Sequence, residues 1–126
     1  MPALPGLEQN EGPNRKDRRR GLPVDGRLFM VYTDIVFEWD DAKARSNALK
    51  HSIRFKEAAE AFNDPDALTV EDVAHSRMER RDRLIGDTSA GRLIVAVFTV
   101  RPGPAIRIIS ARAAGREERF QYERLR

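Results

Sequence analysis

The 126-residue chain contains no cysteine, which excludes disulfides, thiolate metal sites and a cysteine nucleophile. Long apolar runs are also missing, since even the run from Leu93 to Phe98 spans only six residues. That is far shorter than a membrane span or the core of a signal peptide. We therefore expect a cytoplasmic protein that makes no contact with a membrane.

Histidine is scarce, and the familiar catalytic motifs are absent. His51 and His75 do not belong to a spacing such as HExxH, so we expect neither a metal site nor a cofactor. No glycine loop of the phosphate-cradling type is present, which disfavours nucleotide hydrolysis. Ser110 lies inside a strand pattern without the flanking glycines of a nucleophile elbow. A serine hydrolase is therefore not expected either.

The basic residues are mostly arginine and are unevenly distributed. The net charge is only +3, from 23 basic and 20 acidic residues, but arginines concentrate in residues 77–83 and 101–126. Arginine presents a planar fork of donors that matches phosphate oxygens. The two segments therefore favour a phosphodiester ligand, with solubilising surface charge as the alternative.

The first 29 residues differ from the rest in composition. They are rich in proline, glycine and basic residues and show almost no periodic apolar positions. This composition predicts a disordered leader over residues 1–29. Because Met30 immediately precedes the first regular pattern, we interpret it as the natural start, with one domain over residues 30–126.

Residues 31–39 predict a short strand leading into a helix, and Phe55, Ala58, Ala59 and Phe62 recur at the spacing of a second helix. That second helix ends before Pro65. The remaining patterns predict strands over residues 67–71, 81–86, 93–100 and 105–112, and a last helix over 113–122 that packs Phe120 and Tyr122 inward. The expected fold class is α+β, with an antiparallel sheet, two N-terminal helices and a C-terminal helix.

The first of these helices carries an unusual polar face. If Asp40 or Asp41 caps it, then Lys43, Asn47 and Lys50 or His51 follow at intervals of three or four residues. The face would present cations, an amide and an imidazole. A solvated surface is the alternative to a binding site.

These residue types suit the cleavage of RNA without a metal. In that reaction the ribose 2′-hydroxyl attacks its own phosphate, so the enzyme must orient the phosphodiester, stabilise negative charge and move protons. Arginine is a poor general acid because its pKa is above ~12. Arg81 and Arg112 would therefore stabilise charge, while His51, Glu79 or Glu118 exchanges protons.

The order and spacing of several short motifs resemble the BrnT toxins over residues 36–123. The matching positions are Trp39-Asp40, Lys43, Asn47, Lys50-His51, Phe55, Ala58, Asp64-Pro65, Glu79-x-Arg81, Ile85-Gly86, the segment from Arg107 to Arg112, Ala114, Glu118 and Tyr122-Glu123.

The resemblance implies a compact fold similar to the RelE ribonucleases and a type II toxin that cleaves RNA and arrests translation. It also implies an antitoxin similar to BrnA, which would silence the toxin and carry the complex to operator DNA. On this chain the polar positions of the family fall on Lys43, Asn47, His51, Glu79, Arg81, Arg112, Glu118 and Tyr122.

We accordingly predict a catalytic set and an RNA-binding set. The catalytic set is Arg81, Arg112, His51, Lys43 and Glu79; the RNA-binding set is Lys50, Asn47, Arg107, Arg116 and Arg119; Glu118 and Tyr122 are further candidates.

Structural roles remain open for several of these residues. His51 could simply cap its own helix, Arg107 could be an internal ion-pair partner, and Glu118 and Tyr122 could bond to the sheet. For the whole chain, the alternatives are a non-catalytic binding module and a decayed toxin. The second gains support from Ser52, where the family usually has a glycine that ends the helix.

Overall fold

The computed structural model describes residues 27–125, which form a six-stranded sheet and three α-helices. Residues 1–26 of the predicted leader lie outside the described residues. Residues 27–29 already belong to the first strand. The division of the chain into a leader and a domain that starts at Met30 stays a prediction. The elements are β1 (Arg27–Tyr32), β2 (Ile35–Asp40), α1 (Asp41–His51), α2 (Phe55–Ala61), β3 (Leu68–Glu71), a 3-10 turn (Val73–His75), β4 (Asp82–Asp87), β5 (Leu93–Arg101), β6 (Ala105–Ala113) and α3 (Arg116–Leu125).

The strand order across the sheet is β1-β2-β6-β5-β4-β3. The α+β class is confirmed, but the sheet is mixed, because β2 runs parallel to β6 while the other neighbouring pairs are antiparallel. The parallel pair joins strands that are far apart in the chain, which the local sequence pattern does not reveal. The stretch predicted as a single strand is a hairpin, with Thr33 and Asp34 both at positive φ in its two-residue turn.

The two faces of the sheet are covered differently. Helices α1 and α2 cover one face, where Phe37, Trp39 and Phe55 belong to the main core and the Trp39 and Phe55 rings meet edge to face. Helix α3 covers part of the other face, where Tyr122 packs on Ile85 and its neighbours. Trp39 is thus a core residue.

The last helix buries one of the two aromatic residues predicted to pack inward. Tyr122 is 3% exposed, but Phe120 is 56% exposed, so its predicted burial is wrong. Their positions are two apart in the chain, which places them on nearly opposite sides of a helix. The outward-facing ring of Phe120 is instead approached by the Arg124 guanidinium, 5.9 Å from its centroid. No helix within residues 27–125 is long and apolar enough to cross a membrane.

Candidate functional site

The sheet face that α3 covers only in part carries several arginines; Arg101, at the end of β5, is paired with Glu79, and four others define the site. Successive residues of a strand alternate between the two faces, and Arg83, Arg107 and Arg112 all lie on the α3 side. Arg81, immediately before β4, continues this alternation. We refer to these four residues as the arginine face. Their cross-strand neighbours on β5 are Val97 for Arg83, Thr99 for Arg107 and Val95 for Arg112.

Arg112 forms a bidentate ion pair with Glu118 of α3. Its Nη1 and Nη2 atoms donate to the two carboxylate oxygens over 2.8 and 2.6 Å, and the Gly115 backbone N–H donates to Oε1 over 2.7 Å. The hydrogen bonds from Arg112 are the main cause of a Glu118 pKa of about 2, with Gly115 and the charge of Arg83 contributing further. Glu118 is therefore held ionised and orients Arg112.

Arg107 faces a second carboxylate on β2. Its Nε lies 3.9 Å from Oε2 of the buried Glu38, so the ion-pair role considered for Arg107 is confirmed. Asp40, on the same side of β2, caps α1 by accepting the backbone N–H groups of Ala42 and Lys43 over 2.8 and 3.1 Å. The Lys43 backbone hydrogen bond is the main cause that lowers the pKa of Asp40, and the charges of Lys43 and Arg107 lower it further. The positive charges of Lys43 and Arg107 thus both act on Asp40, at the point where β2 ends and α1 begins.

Arg81 is held through its backbone rather than its side chain. Its N–H donates to the Ser76 hydroxyl over 2.9 Å, and its carbonyl accepts the Asp72 N–H over 2.8 Å. The half-buried residue is thereby fixed at the start of β4. Nearby, Glu79 pairs with Arg101 at the end of β5, with 3.2 Å between Oε1 and Nη1.

Asn47 is buried and serves the fold. Its amide donates to the carbonyls of Ile53 and Ala111 over 3.0 and 2.8 Å and accepts the Ala111 N–H over 3.1 Å. These bonds engage both ends of the amide. The predicted RNA contact at Asn47 therefore finds no support in its placement, and the polar face expected on α1 is interrupted at its centre.

Lys43, Lys50 and His51 are exposed on α1, and His51 is the last residue of that helix. The next residue, Ser52, ends the helix in the left-handed conformation at φ 58°, as expected for a position that favours glycine. The Ser52 carbonyl accepts a hydrogen bond from Arg92, which lies just before the first residue of β5. Glu79 pairs with Arg101, the last residue of that nine-residue strand. The strand rises roughly 26 Å between those ends. The structure therefore separates His51 from Glu79 instead of bringing them together.

The remaining candidates lie on α3. Arg116 and Arg119 are exposed, whereas Tyr122 is buried and its hydroxyl donates to Asp64 Oδ2 over 2.6 Å. The same oxygen accepts the Asp87 N–H over 2.8 Å. Tyr122 thus connects α3 to the loops around β3 and β4, which is the structural alternative considered for it. Within residues 27–125, no three histidine, aspartate or glutamate side chains are grouped in a way that could hold a metal ion.

A family model described as "Ribonuclease toxin, BrnT, of type II toxin-antitoxin system" matches residues 39–118. The chain belongs to the BrnT family. A solved structure, the crystal structure of the ribonuclease toxin BrnT from Brucella abortus, is similar with a TM-score of 0.49 and 24% identity, over 62% of this chain and 94% of that one. A comparison with curated proteins finds no match.

The BrnT match includes the whole arginine face and the Glu118 carboxylate at its end, but not Arg119 or Tyr122. One member of the face, Arg83, is missing from the set predicted from sequence. The signal was available, since residues two apart on a strand share a face and Arg83 follows Arg81 at that spacing.

Proposed function

We propose that this BrnT toxin is a metal-independent endoribonuclease that binds RNA across the arginine face, cleaves it in the cytoplasm and so arrests translation. The observation that carries the proposal is the charge of that face. Its four arginines face three carboxylates, Glu38 and Asp40 near Arg107 and Glu118 at Arg112 and Arg83. The excess positive charge favours a phosphodiester backbone.

The reaction begins when the ribose 2′-hydroxyl attacks the adjacent phosphorus. A bond forms between O2′ and phosphorus, the bond to the 5′-oxygen breaks, and the products carry a 2′,3′-cyclic phosphate and a 5′-hydroxyl. Arg81 stabilises the extra negative charge as it develops on the oxygens of the scissile phosphate, and Arg112 binds the neighbouring part of the RNA backbone. Glu118 and the Gly115 N–H hold the Arg112 side of this arrangement in place.

Two protons must move, one from the 2′-hydroxyl and one to the 5′-oxygen. Arginine is unsuited because its pKa is above ~12, and Glu118 is unsuited because a pKa of about 2 makes it a weak base with no proton to donate at neutral pH. His51 and Glu79 remain as candidates for proton exchange. Because α1 covers the sheet face opposite the arginine face, His51, Lys43 and Lys50 contact RNA only where the bound strand passes around the sheet toward α1. Because His51 and Glu79 lie near opposite ends of β5, one of them serves the scissile phosphate and the other does not.

Cleavage of a single-stranded RNA in the presence of EDTA tests the proposal. We expect wild-type protein to cleave, and Arg81→Ala to lose activity by about 100-fold, as for loss of one charge-stabilising group. Arg54→Ala is the matched control, because Arg54 is an exposed arginine at the start of α2 on the opposite face. RNA that stays intact but bound would favour a non-catalytic module, and equal activity of all three proteins would reject the Arg81 site.

We further propose that a BrnA-like antitoxin binds and silences this toxin and carries the complex to operator DNA. The family description, which names a type II toxin-antitoxin system, supports the proposal. Co-expression with the product of an adjacent small gene tests it. Co-purification with loss of RNA cleavage is expected, and specific DNA binding should require the antitoxin. An adjacent product that neither binds nor inhibits would count against the pairing.

A further inference from the structure

Two arginines of the arginine face approach the same carboxylate, but only one of them is hydrogen-bonded to it. Arg112 engages both oxygens of Glu118, and the Gly115 N–H also donates to Oε1. The Nη1 atom of Arg83 lies 3.8 Å from Oε2, beyond hydrogen-bond distance. Glu118 therefore attracts Arg83 without providing it with a bonded partner.

The guanidinium of Arg83 has unused donor capacity. Its Nε atom is buried, and among the described residues it has no hydrogen-bond acceptor. A buried donor without an acceptor costs free energy, and arginines that serve only the fold normally have theirs satisfied. The side chain as a whole is 35% exposed, so its outer end is open to a ligand. The cross-strand neighbours of Arg83 are Val97 and Val70, which offer no side-chain acceptor.

We propose that Arg83 and Arg112 together form a second phosphate subsite on the arginine face, which holds a phosphate of the RNA that is not cleaved. The inference rests on the proposed function, because it takes RNA as the ligand. Two guanidinium groups against one carboxylate leave a net positive charge, and the Arg112 side chain is 41% exposed. The donors of Arg83, together with those that Arg112 does not use for Glu118, match the oxygens of a phosphate diester.

The subsite is distinct from the phosphate position at Arg81. Arg81 and Arg83 are two residues apart on an extended chain, which separates their Cα atoms by roughly 6–7 Å. Glu118 keeps the Arg112 guanidinium fixed on the other side of Arg83. RNA bound at both positions would therefore lie along β4, with Arg83 fixing its register. Arg83 is a binding residue in this proposal and takes no part in proton transfer.

The salt dependence of RNA binding tests the subsite. The probe is a single-stranded RNA with 2′-O-methyl riboses, which binds but has no free 2′-hydroxyl to start the reaction. We expect Arg83→Gln to weaken binding about tenfold at low salt and to lower the slope of log K against log salt by about 0.7, the value for one phosphate contact on a single strand. Arg83→Lys should keep most of the slope, since it keeps the charge. Arg54→Gln is the control and should behave as wild type.

A scan of single neutral methylphosphonates along the same probe locates the phosphate. At one position the substitution should weaken binding to wild type but not weaken binding to Arg83→Gln any further. Should Arg83→Gln fail to fold in a thermal unfolding check, the scan with wild type and Arg83→Lys still decides. A lysine cannot make the bidentate contact with that phosphate. Arg83→Lys should therefore bind the RNA more weakly than wild type, and the loss should arise at the same phosphate that the scan locates.

The failure of this inference is distinguishable from failure of the proposed function. If wild type cleaves unmodified RNA but Arg83→Gln keeps the wild-type salt slope, the subsite is rejected and the ribonuclease stands. If wild type shows the subsite in binding but never cleaves, the catalytic proposal fails alone. A loss of binding in Arg83→Gln that is equal at every methylphosphonate position would also overturn the subsite.

Discussion

The side-chain amide of Asn47 pairs with both backbone groups of Ala111. It donates to the Ala111 carbonyl over 2.8 Å and accepts the Ala111 N–H over 3.1 Å. Strand β2 pairs with β6 only at Ile106 and Arg107, and the chain then leaves the sheet to form α1. Asn47 therefore supplies, from a helix, the hydrogen bonds that a neighbouring strand would have made at this point of β6.

We predict that Asn47→Ala lowers the free energy of unfolding by about 2–4 kcal/mol, because it removes three hydrogen bonds and leaves buried backbone groups unpaired. Urea unfolding measures the change. Asn63→Ala is the matched control, since Asn63 is exposed after α2, and it should cost less than about 0.5 kcal/mol. A similar small loss in both variants would refute the role given to Asn47.

Ser52→Gly should stabilise the protein by up to about 1 kcal/mol, because Ser52 has a φ of 58° that glycine adopts without strain. The bond from Arg92 to the Ser52 carbonyl remains available in the variant. Ser46→Gly, at an exposed position inside α1, is the control and should destabilise by about 0.5–1 kcal/mol. Thermal unfolding of both variants decides, and a loss of stability in Ser52→Gly would contradict the strain argument.

The ion pair between Arg112 and Glu118 makes stability depend on pH. The pKa of Glu118 falls from 4.5 to about 2 on folding, so its contribution is complete above pH 4.5 and disappears as the pH falls toward 2. We predict that Glu118→Gln is about 1–3 kcal/mol less stable than wild type at pH 7 and that the difference narrows between pH 4.5 and pH 3. Unfolding of Glu117→Gln, an exposed neighbour, serves as control. A difference that is constant with pH would exclude the proposed cause.

Because His51 and Glu79 lie near opposite ends of β5, we predict that only one of them takes part in proton transfer. Of the variants His51→Gln and Glu79→Gln, one should lose RNA cleavage by about 100-fold or more together with one limb of its pH–rate profile. The other should retain both. Equal losses in the two variants, with both limbs altered, would show that the residues meet at one phosphate after all.

Local patterns in the sequence were sufficient for much of the fold. The Asp40 cap, the end of α2 before Pro65 and the strong strand β5 all depend on neighbours within a few residues. The parallel pairing of β2 with β6 depends on contacts distant in sequence and was missed. Helical spacing does show that Phe120 and Tyr122 cannot both face inward, but which of the two faces the sheet depends on tertiary contacts.

The candidate site was less accessible to prediction than the fold. Spacing on α1 grouped Lys43, Asn47 and His51, but only the tertiary structure shows that Asn47 bonds to β6. Sequence also could not show that Glu118 is already bound by Arg112. Strand alternation from Arg81 to Arg83, by contrast, was visible in the sequence and defines a member of the arginine face.

The chemistry of the RNA ends tests the central claim most directly. Purified wild-type protein, incubated with a single-stranded RNA in EDTA, should yield fragments with a 2′,3′-cyclic phosphate and a 5′-hydroxyl. A single 2′-deoxyribose at the cleavage site should prevent the reaction there. Mass spectrometry of the fragments identifies both ends. Fragments with a 5′-phosphate that form only when Mg²⁺ is added would contradict the account.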